Sequence, residues 1–134
     1  MNAVLDACAM IAPLRGEPGE SVVWAHLANP AATCYAHAIN FCEVYYDFFR
    51  VADELTAGNA IRDLKALGII ERIDFEQEFW QQAGKIKAVY RRISLADCCA
   101  VALTLRLGGT LVTSDHREFD PLVAAKTCPI EFIR

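Results

Sequence analysis

The sequence predicts an α/β fold in which a mainly parallel central sheet is covered by helices on both faces, a three-layer α/β/α sandwich. Three observations predict it. Short apolar runs alternate with segments of helical spacing, one such segment (Ser94 to Leu107) is apolar nearly all round, and breakers such as Glu17-Pro18-Gly19 and Gly108-Gly109 separate the two kinds. A chain of 134 residues with 54% hydrophobic content can bury a proper core, so one domain over residues 1–134 is expected.

The elements follow in order. Residues 2–5 form a short apolar run and predict a strand; Glu20 to Leu27, after the breaker, carries helical spacing. Ala31 to Cys34, behind Pro30, predicts a second strand, and an aromatic-rich helix follows from about Asn40 to Phe49. Between Asp53 and Leu67, the residues Leu55, Ala60, Ile61, Leu64 and Leu67 repeat on one face, and Gly68 closes that helix. Ile69 to Ile73 predicts a third strand. Phe75, Phe79, Ala83, Ile86 and Tyr90 make the apolar face of a helix reaching about Arg91. The all-round apolarity of Ser94 to Leu107 implies a helix buried on more than one side. Thr110 to Thr113 and Pro129 to Ile133 supply the last two strands.

Composition narrows the function. The net charge of −4 lacks the basic excess of many nucleic-acid binders, so any nucleic-acid role must rest on a local site. The start of the chain meets Asp6 at once, has no basic lead and never sustains a membrane-spanning apolar length, so neither membrane nor secretion is expected. Cys8, Cys34, Cys42, Cys98, Cys99 and Cys128 sit in apolar runs without the spacing of a zinc site, which predicts free thiols in a reducing cytoplasm.

Most acids lie among other charges, on solvated faces. Four do not. Asp6 follows the first strand and is the only formally charged side chain in the first 14 residues; Glu43 is alone between residues 27 and 46 with His37 neutral. Asp97 stands alone in the apolar helix, and Asp115, just past the strand at Thr110 to Thr113, has only His116 beside it. A lone buried carboxylate is costly unless paired or metal-bound. Capping is the alternative, because Ser94-Leu95-Ala96-Asp97 and Asn40-Phe41-Cys42-Glu43 both have capping-box spacing. The four together favour a pocket: in a parallel α/β sheet the strand ends and the following helix starts open onto one edge. Four carboxylates there repel one another unless a cation neutralises them, and oxygen-only ligands suit Mg²⁺ or Mn²⁺. Metal-assisted phosphodiester hydrolysis fits this set best.

Leu5-Asp6-Ala7-Cys8-Ala9, Asn40-Phe41-Cys42-Glu43-Val44, Ser94-Leu95-Ala96-Asp97 and Leu111-Val112-Thr113-Ser114-Asp115 resemble, in order and spacing, the acidic motifs of PIN domains. Leu14-Arg15-Gly16-Glu17-Pro18-Gly19 and Asp115-His116-Arg117-Glu118-Phe119-Asp120 resemble the VapC toxin branch. The resemblance implies a Mg²⁺- or Mn²⁺-dependent endoribonuclease, dimeric and neutralised by a cognate VapB-like antitoxin whose tail occupies the active-site groove. It also implies Asp6 and Asp97 as principal metal ligands, with Glu43 and Asp115 completing the pocket directly or through water. Asn40 and Thr113 match supporting polar positions, with Ser94 opening the third motif. At Cys8 the chain departs from the Ser, Thr or Asn common in this family, and a thiol is the weaker hydrogen-bonder.

Other candidates surround this set. His116 could donate a proton to a leaving oxygen, although a histidine in a surface turn is the plainer reading. Arg15 and Arg117 flank the acidic motifs and are the expected RNA contacts; Lys85, Lys87, Arg91 and Arg92 read as a solvated helix face. Tyr45, Tyr46, Phe48 and Phe49 read as core or dimer contact rather than a base-stacking platform. The rivals are a receiver domain and a PIN-like fold that binds without cutting. A receiver domain needs adjacent N-terminal acids and a lysine after a late strand, and this chain has neither, since no lysine follows Thr113 before Lys126.

Overall fold

The computed structural model describes residues 1–134. Its elements run β1 (Asn2–Leu5), α1 (Ala7–Arg15), α2 (Glu20–Ala28), β2 (Thr33–His37), α3 (Ala38–Val51), α4 (Glu54–Ala66), β3 (Ile70–Arg72), α5 (Gln77–Val89), α6 (Leu95–Leu107), β4 (Thr110–Thr113), α7 (His116–Ala124) and β5 (Ile130–Phe132). The sheet has the order β3-β2-β1-β4-β5 and is parallel throughout.

Strand alternation assigns the two layers. Ala3 and Leu5 of β1 point into one buried cluster with Met10 of α1, Val23 of α2, Phe41 of α3 and Leu64 of α4. Val4, between them, points into the other, with Phe79 of α5, Leu103 of α6 and Phe119 of α7. The sandwich expected from the alternating pattern is therefore present, with β1 at its centre. Helix α6 explains its own lack of a polar face: Ala96 to Thr104 are all buried, because the helix meets the sheet, α5 and α3 at once. Gly108 ends it with a left-handed φ of 59°, and a Cβ on Gly109 would meet the Asn2 carbonyl oxygen at 2.5 Å.

Two helices lie where the sequence pattern predicts none. Helix α1 is apolar along nearly its whole length and contains Pro13, so it has no amphipathic period; α7 contains Pro121. In both, the start is fixed by an aspartate cap: Asp6 accepts from Ala9 N–H and Asp115 from Glu118 N–H, each at 3.0 Å. Strand β2 also runs on to His37, three residues past the expected end, so α3 opens at Ala38 rather than near Asn40. The six cysteines are free thiols, as expected. No helix is long and apolar enough to cross a membrane.

Candidate active site

Every strand of a parallel sheet ends on the same edge, and the helices that follow start there. Asp6 joins β1 to α1, His37 joins β2 to α3, and Asp115 joins β4 to α7. Helix α6 runs back along the sheet, with its last carbonyls near Asn2 at the strands' starting edge, which brings Asp97 in its first turn to the edge where the strands end.

Asp6 is 1% exposed and fully engaged. Its Oδ1 accepts from Ala9 N–H, and its Oδ2 accepts from the Thr113 hydroxyl and, at 3.3 Å, from the Cys8 thiol. Thr113 in turn accepts from Asp115 N–H at 3.0 Å, so one hydroxyl ties the first and fourth acids together. Burial raises the Asp6 carboxyl to about 6, against the lowering effect of these donors. One carboxylate oxygen each from Asp97, Asp115 and Glu118 lies within 4.8 Å of the other two. Asp97 is pushed far above the usual carboxylate range by burial first, then by the adjoining carboxyl of Glu118 and the charges of Asp6 and Glu43. Glu43 is raised to about 7 by burial and by the charges of Asp6 and Glu118. No Lys, Arg or His forms an ion pair with any of these acids.

The capping alternative for Glu43 and Asp97 is decided by the helix starts. Because α3 opens at Ala38, its cap is His37, whose Nδ1 accepts from Ile39 N–H at 3.1 Å; Glu43 lies beyond the first turn and caps nothing. At α6, Ser94 is the cap and accepts from Asp97 N–H at 3.1 Å. The reciprocal half of a capping box would take Asp97's carboxylate back to Ser94 N–H. Here Ser94 N–H goes instead to Glu118 Oε2 of α7, at 3.2 Å. Glu118 closes the cap from another element and leaves the Asp97 carboxylate for the pocket. Sequence reasoning had missed Glu118, although Asp115-His116-Arg117-Glu118 has capping-box spacing.

A family model for the PIN domain matches residues 3–122. The chain belongs to the PIN-domain family. No curated protein matches it by sequence. Among solved structures, this PIN domain is similar to VapBC-1 from nontypeable Haemophilus influenzae (TM-score 0.76, 18% identity, 99% of this chain and 98% of that one covered). It is also similar to VapBC2 from Rickettsia felis bound to a promoter DNA fragment (TM-score 0.75, 17% identity, 98% of each chain). A third, DNA-bound VapBC from Salmonella typhimurium, gives a TM-score of 0.73 at 14% identity over 100% of this chain and 99% of that one. At these identities the likeness establishes the fold.

The remaining candidates of the PIN domain divide. Asn40 is fully buried on α3; its Nδ2 reaches the Ala96 carbonyl at 3.5 Å, beside Asp97, and its Oδ1 has no partner. Arg117 is exposed in the first turn of α7. Arg15, an expected RNA contact, is at the opposite end of α1 from Asp6, where it holds Asp47 at 2.7 Å and stacks over Phe48. His116 is stacked on Phe132 and bonded to Asp120 and the Arg134 carbonyl, which commits it to the C-terminal strand rather than to a leaving group. His37 caps α3 and reaches the Asp74 carbonyl at 2.7 Å, and His26 meets Glu131, so both are structural. Beside Glu43 opens an apolar groove of about 630 Å³, walled by α3, α5, the start of α6 and the β3–α5 connection. Ile39, Tyr46, Ile73, Phe75, Trp80 and Leu95 line it and are all exposed.

Proposed function

We propose that this PIN domain is a Mg²⁺- or Mn²⁺-dependent endoribonuclease, the toxin of a toxin–antitoxin pair, that hydrolyses RNA phosphodiester bonds. The observation that carries this reading is the unpaired acidic cluster, with one oxygen each from Asp97, Asp115 and Glu118 within 4.8 Å and no basic side chain among them. Carboxyls held this close can all be ionised only with a cation among them. The donor set fits a hard divalent ion: carboxylate oxygens throughout, with the buried, partnerless Asn40 Oδ1 on the neighbouring helix. Asp6 and Asp97 would hold the ion, with Glu43, Asp115 and Glu118 directly or through water. When bound, such an ion supplies a water of lowered pKa and stabilises the departing oxygen.

The chain's own residues prepare that chemistry. Ala9 N–H and the Thr113 hydroxyl fix the Asp6 carboxylate, and Ser94 with Glu118 fixes the start of α6. Glu43, raised to about 7, can hold or release a proton at its carboxylate near neutral pH. The apolar groove beside it suits a protein partner that presents apolar side chains along α3 and α5 and ends at the acids, which is the antitoxin part of the proposal. The exposed, stacked Tyr45 and Phe49 of α3 suit self-association as a homodimer.

The test is to map cleavage ends on total RNA with and without Mg²⁺, comparing wild type with Asp97→Asn and Asp6→Asn. Metal-dependent ends that vanish in both variants support the assignment; wild-type cleavage by both refutes it. For the toxin part, expression should arrest growth and co-expression of a small protein encoded beside it should relieve the arrest. Harmless expression of active protein would count against it.

A further inference from the structure

We infer that Arg91, Arg92 and Arg117 form a phosphate-gripping rim around the acidic pocket, taking the backbone of an RNA strand on either side of the bond to be cut. This rests on the ribonuclease reading above and names the residues that hold its substrate. A polyanion approaching a chain of net charge −4, at a pocket made of carboxylates, is repelled unless local cations offset the field. Most of the chain's arginines are already committed. Arg15 and Arg50 hold Asp47, Arg72 and Arg106 hold Asp74, and Arg134 holds Glu17. Arg91, Arg92 and Arg117 are exposed and make no ion pair.

Their placement is as telling as their freedom. Arg91 and Arg92 occupy the turn between α5 and α6, just before Ser94, and Arg117 comes just before Glu118 in α7. The hydrogen bond from Ser94 N–H to Glu118 Oε2, 3.2 Å long, joins these two segments at the pocket. Arg91 and Arg92 therefore sit on the segment that leads into Asp97, and Arg117 on the segment that carries Asp115 and Glu118. The turn is also firmly built: Lys87 Nζ donates to the Arg91 carbonyl at 2.9 Å and to the Ile93 carbonyl, and Ile93 is buried. A fixed backbone with free guanidinium groups loses less freedom on gripping phosphate than a mobile loop. The sequence expectation named Arg15 and Arg117 as the contacts and read Arg91 and Arg92 as part of a solvated helix face; the rim keeps Arg117 and puts Arg91 and Arg92 in place of Arg15, which is held by Asp47.

The test is steady-state cleavage of a fluorogenic single-stranded RNA in Mg²⁺ at several salt concentrations, by wild type, by the triple variant R91Q/R92Q/R117Q, and by R62Q as a control that removes one exposed arginine on α4. The rim predicts that the triple variant raises KM about tenfold at physiological salt, with kcat within about twofold. The log–log salt slope of kcat/KM should fall by about 2, near 0.7 for each lost phosphate contact to a single strand. R62Q should match wild type, and melting curves should show all three proteins folded. A triple variant with wild-type KM and salt slope overturns the rim. Absence of cleavage by wild type would strike the ribonuclease reading instead; fluorescence anisotropy with the same RNA then decides the rim, since unchanged affinity in the triple variant overturns it and weakened affinity supports it.

Discussion

Two regions of the molecule gather acids, and they treat them in opposite ways. At the start of α5, Asp74 accepts both nitrogens of a planar pair from Arg72 and a further bond from Arg106, while Glu76 accepts from Arg106 as well. The Arg72 hydrogen bond leads the causes that pull the Asp74 carboxyl down to about 2, and Arg106 lies over the Phe79 ring. At the strand ends, Asp97 is driven far the other way, with Asp115 and Glu118 beside it and no guanidinium paired with any of them. The same side-chain chemistry is thus self-sufficient in one place and incomplete in the other. The first cluster staples α5 to α6; the second asks for positive charge from outside.

The largest expected effect is at the incomplete cluster. Asp97→Asn should lower RNA cleavage by at least about 100-fold, and it should raise the melting temperature of metal-free protein because it removes a carboxyl that the fold holds protonated while the unfolded chain is free to ionise it. A metal-free melting temperature that fell would make Asp97 a structural acid after all. The pH dependence follows from the same shifts. Asp6 and Glu43 have folded values of about 6 and about 7, above the ordinary carboxylate range. Asp97 lies higher still, so the fold binds protons more tightly than the unfolded chain from roughly pH 4 to beyond pH 7, and metal-free stability declines as pH rises through that window. Added Mg²⁺ should offset the decline at pH 8 and do little at pH 5, as read by thermal melts at both.

Smaller effects separate the roles further. Glu118→Gln keeps an oxygen to accept from Ser94 N–H but removes the charge, so it should preserve α6 and weaken Mg²⁺ affinity about tenfold by titration calorimetry; unchanged affinity would reduce Glu118 to a cap. Arg106→Met strips Asp74 and Glu76 of a shared partner and should lower the melting temperature by a few degrees while cleavage per folded molecule stays constant. A loss of activity there would merge the two clusters that the structure keeps apart. Smallest of all, Cys8→Ser should strengthen the bond to Asp6 Oδ2 and improve Mg²⁺ affinity by less than about tenfold.

What could be read in the sequence follows from what leaves a pattern there. The strands, α4, α5 and α6 did so because their apolar residues repeat with a period or run without interruption, and the isolation of Asp6, Glu43, Asp97 and Asp115 in apolar sequence marked them. Helices α1 and α7 were invisible because their starts depend on one aspartate cap each, their interiors hold Pro13 and Pro121, and α1 has no polar face. Glu118 was hidden with α7, since it sits among His116, Arg117 and Asp120 like any surface acid. Arg15 looked available because its partner, Asp47, is 32 positions away. Which cations are free is a property of tertiary pairing, and no local pattern carries it.

The strand order has a consequence for a chain still leaving the ribosome. β1 is made before β2 and β4, yet it lies between them, and Asp6 receives its hydroxyl donor from a residue 107 positions downstream. Long-range pairings of this kind close late in folding. A chain stopped anywhere before Asp115 holds only part of the acidic pocket and lacks the helix that frees Asp97. The nuclease proposed here would therefore come into being only once Asp115 and Glu118 have been made and have reached the pocket, with no cutting activity in the growing chain before then, while the RNA nearest to it is the message and ribosome that are making it.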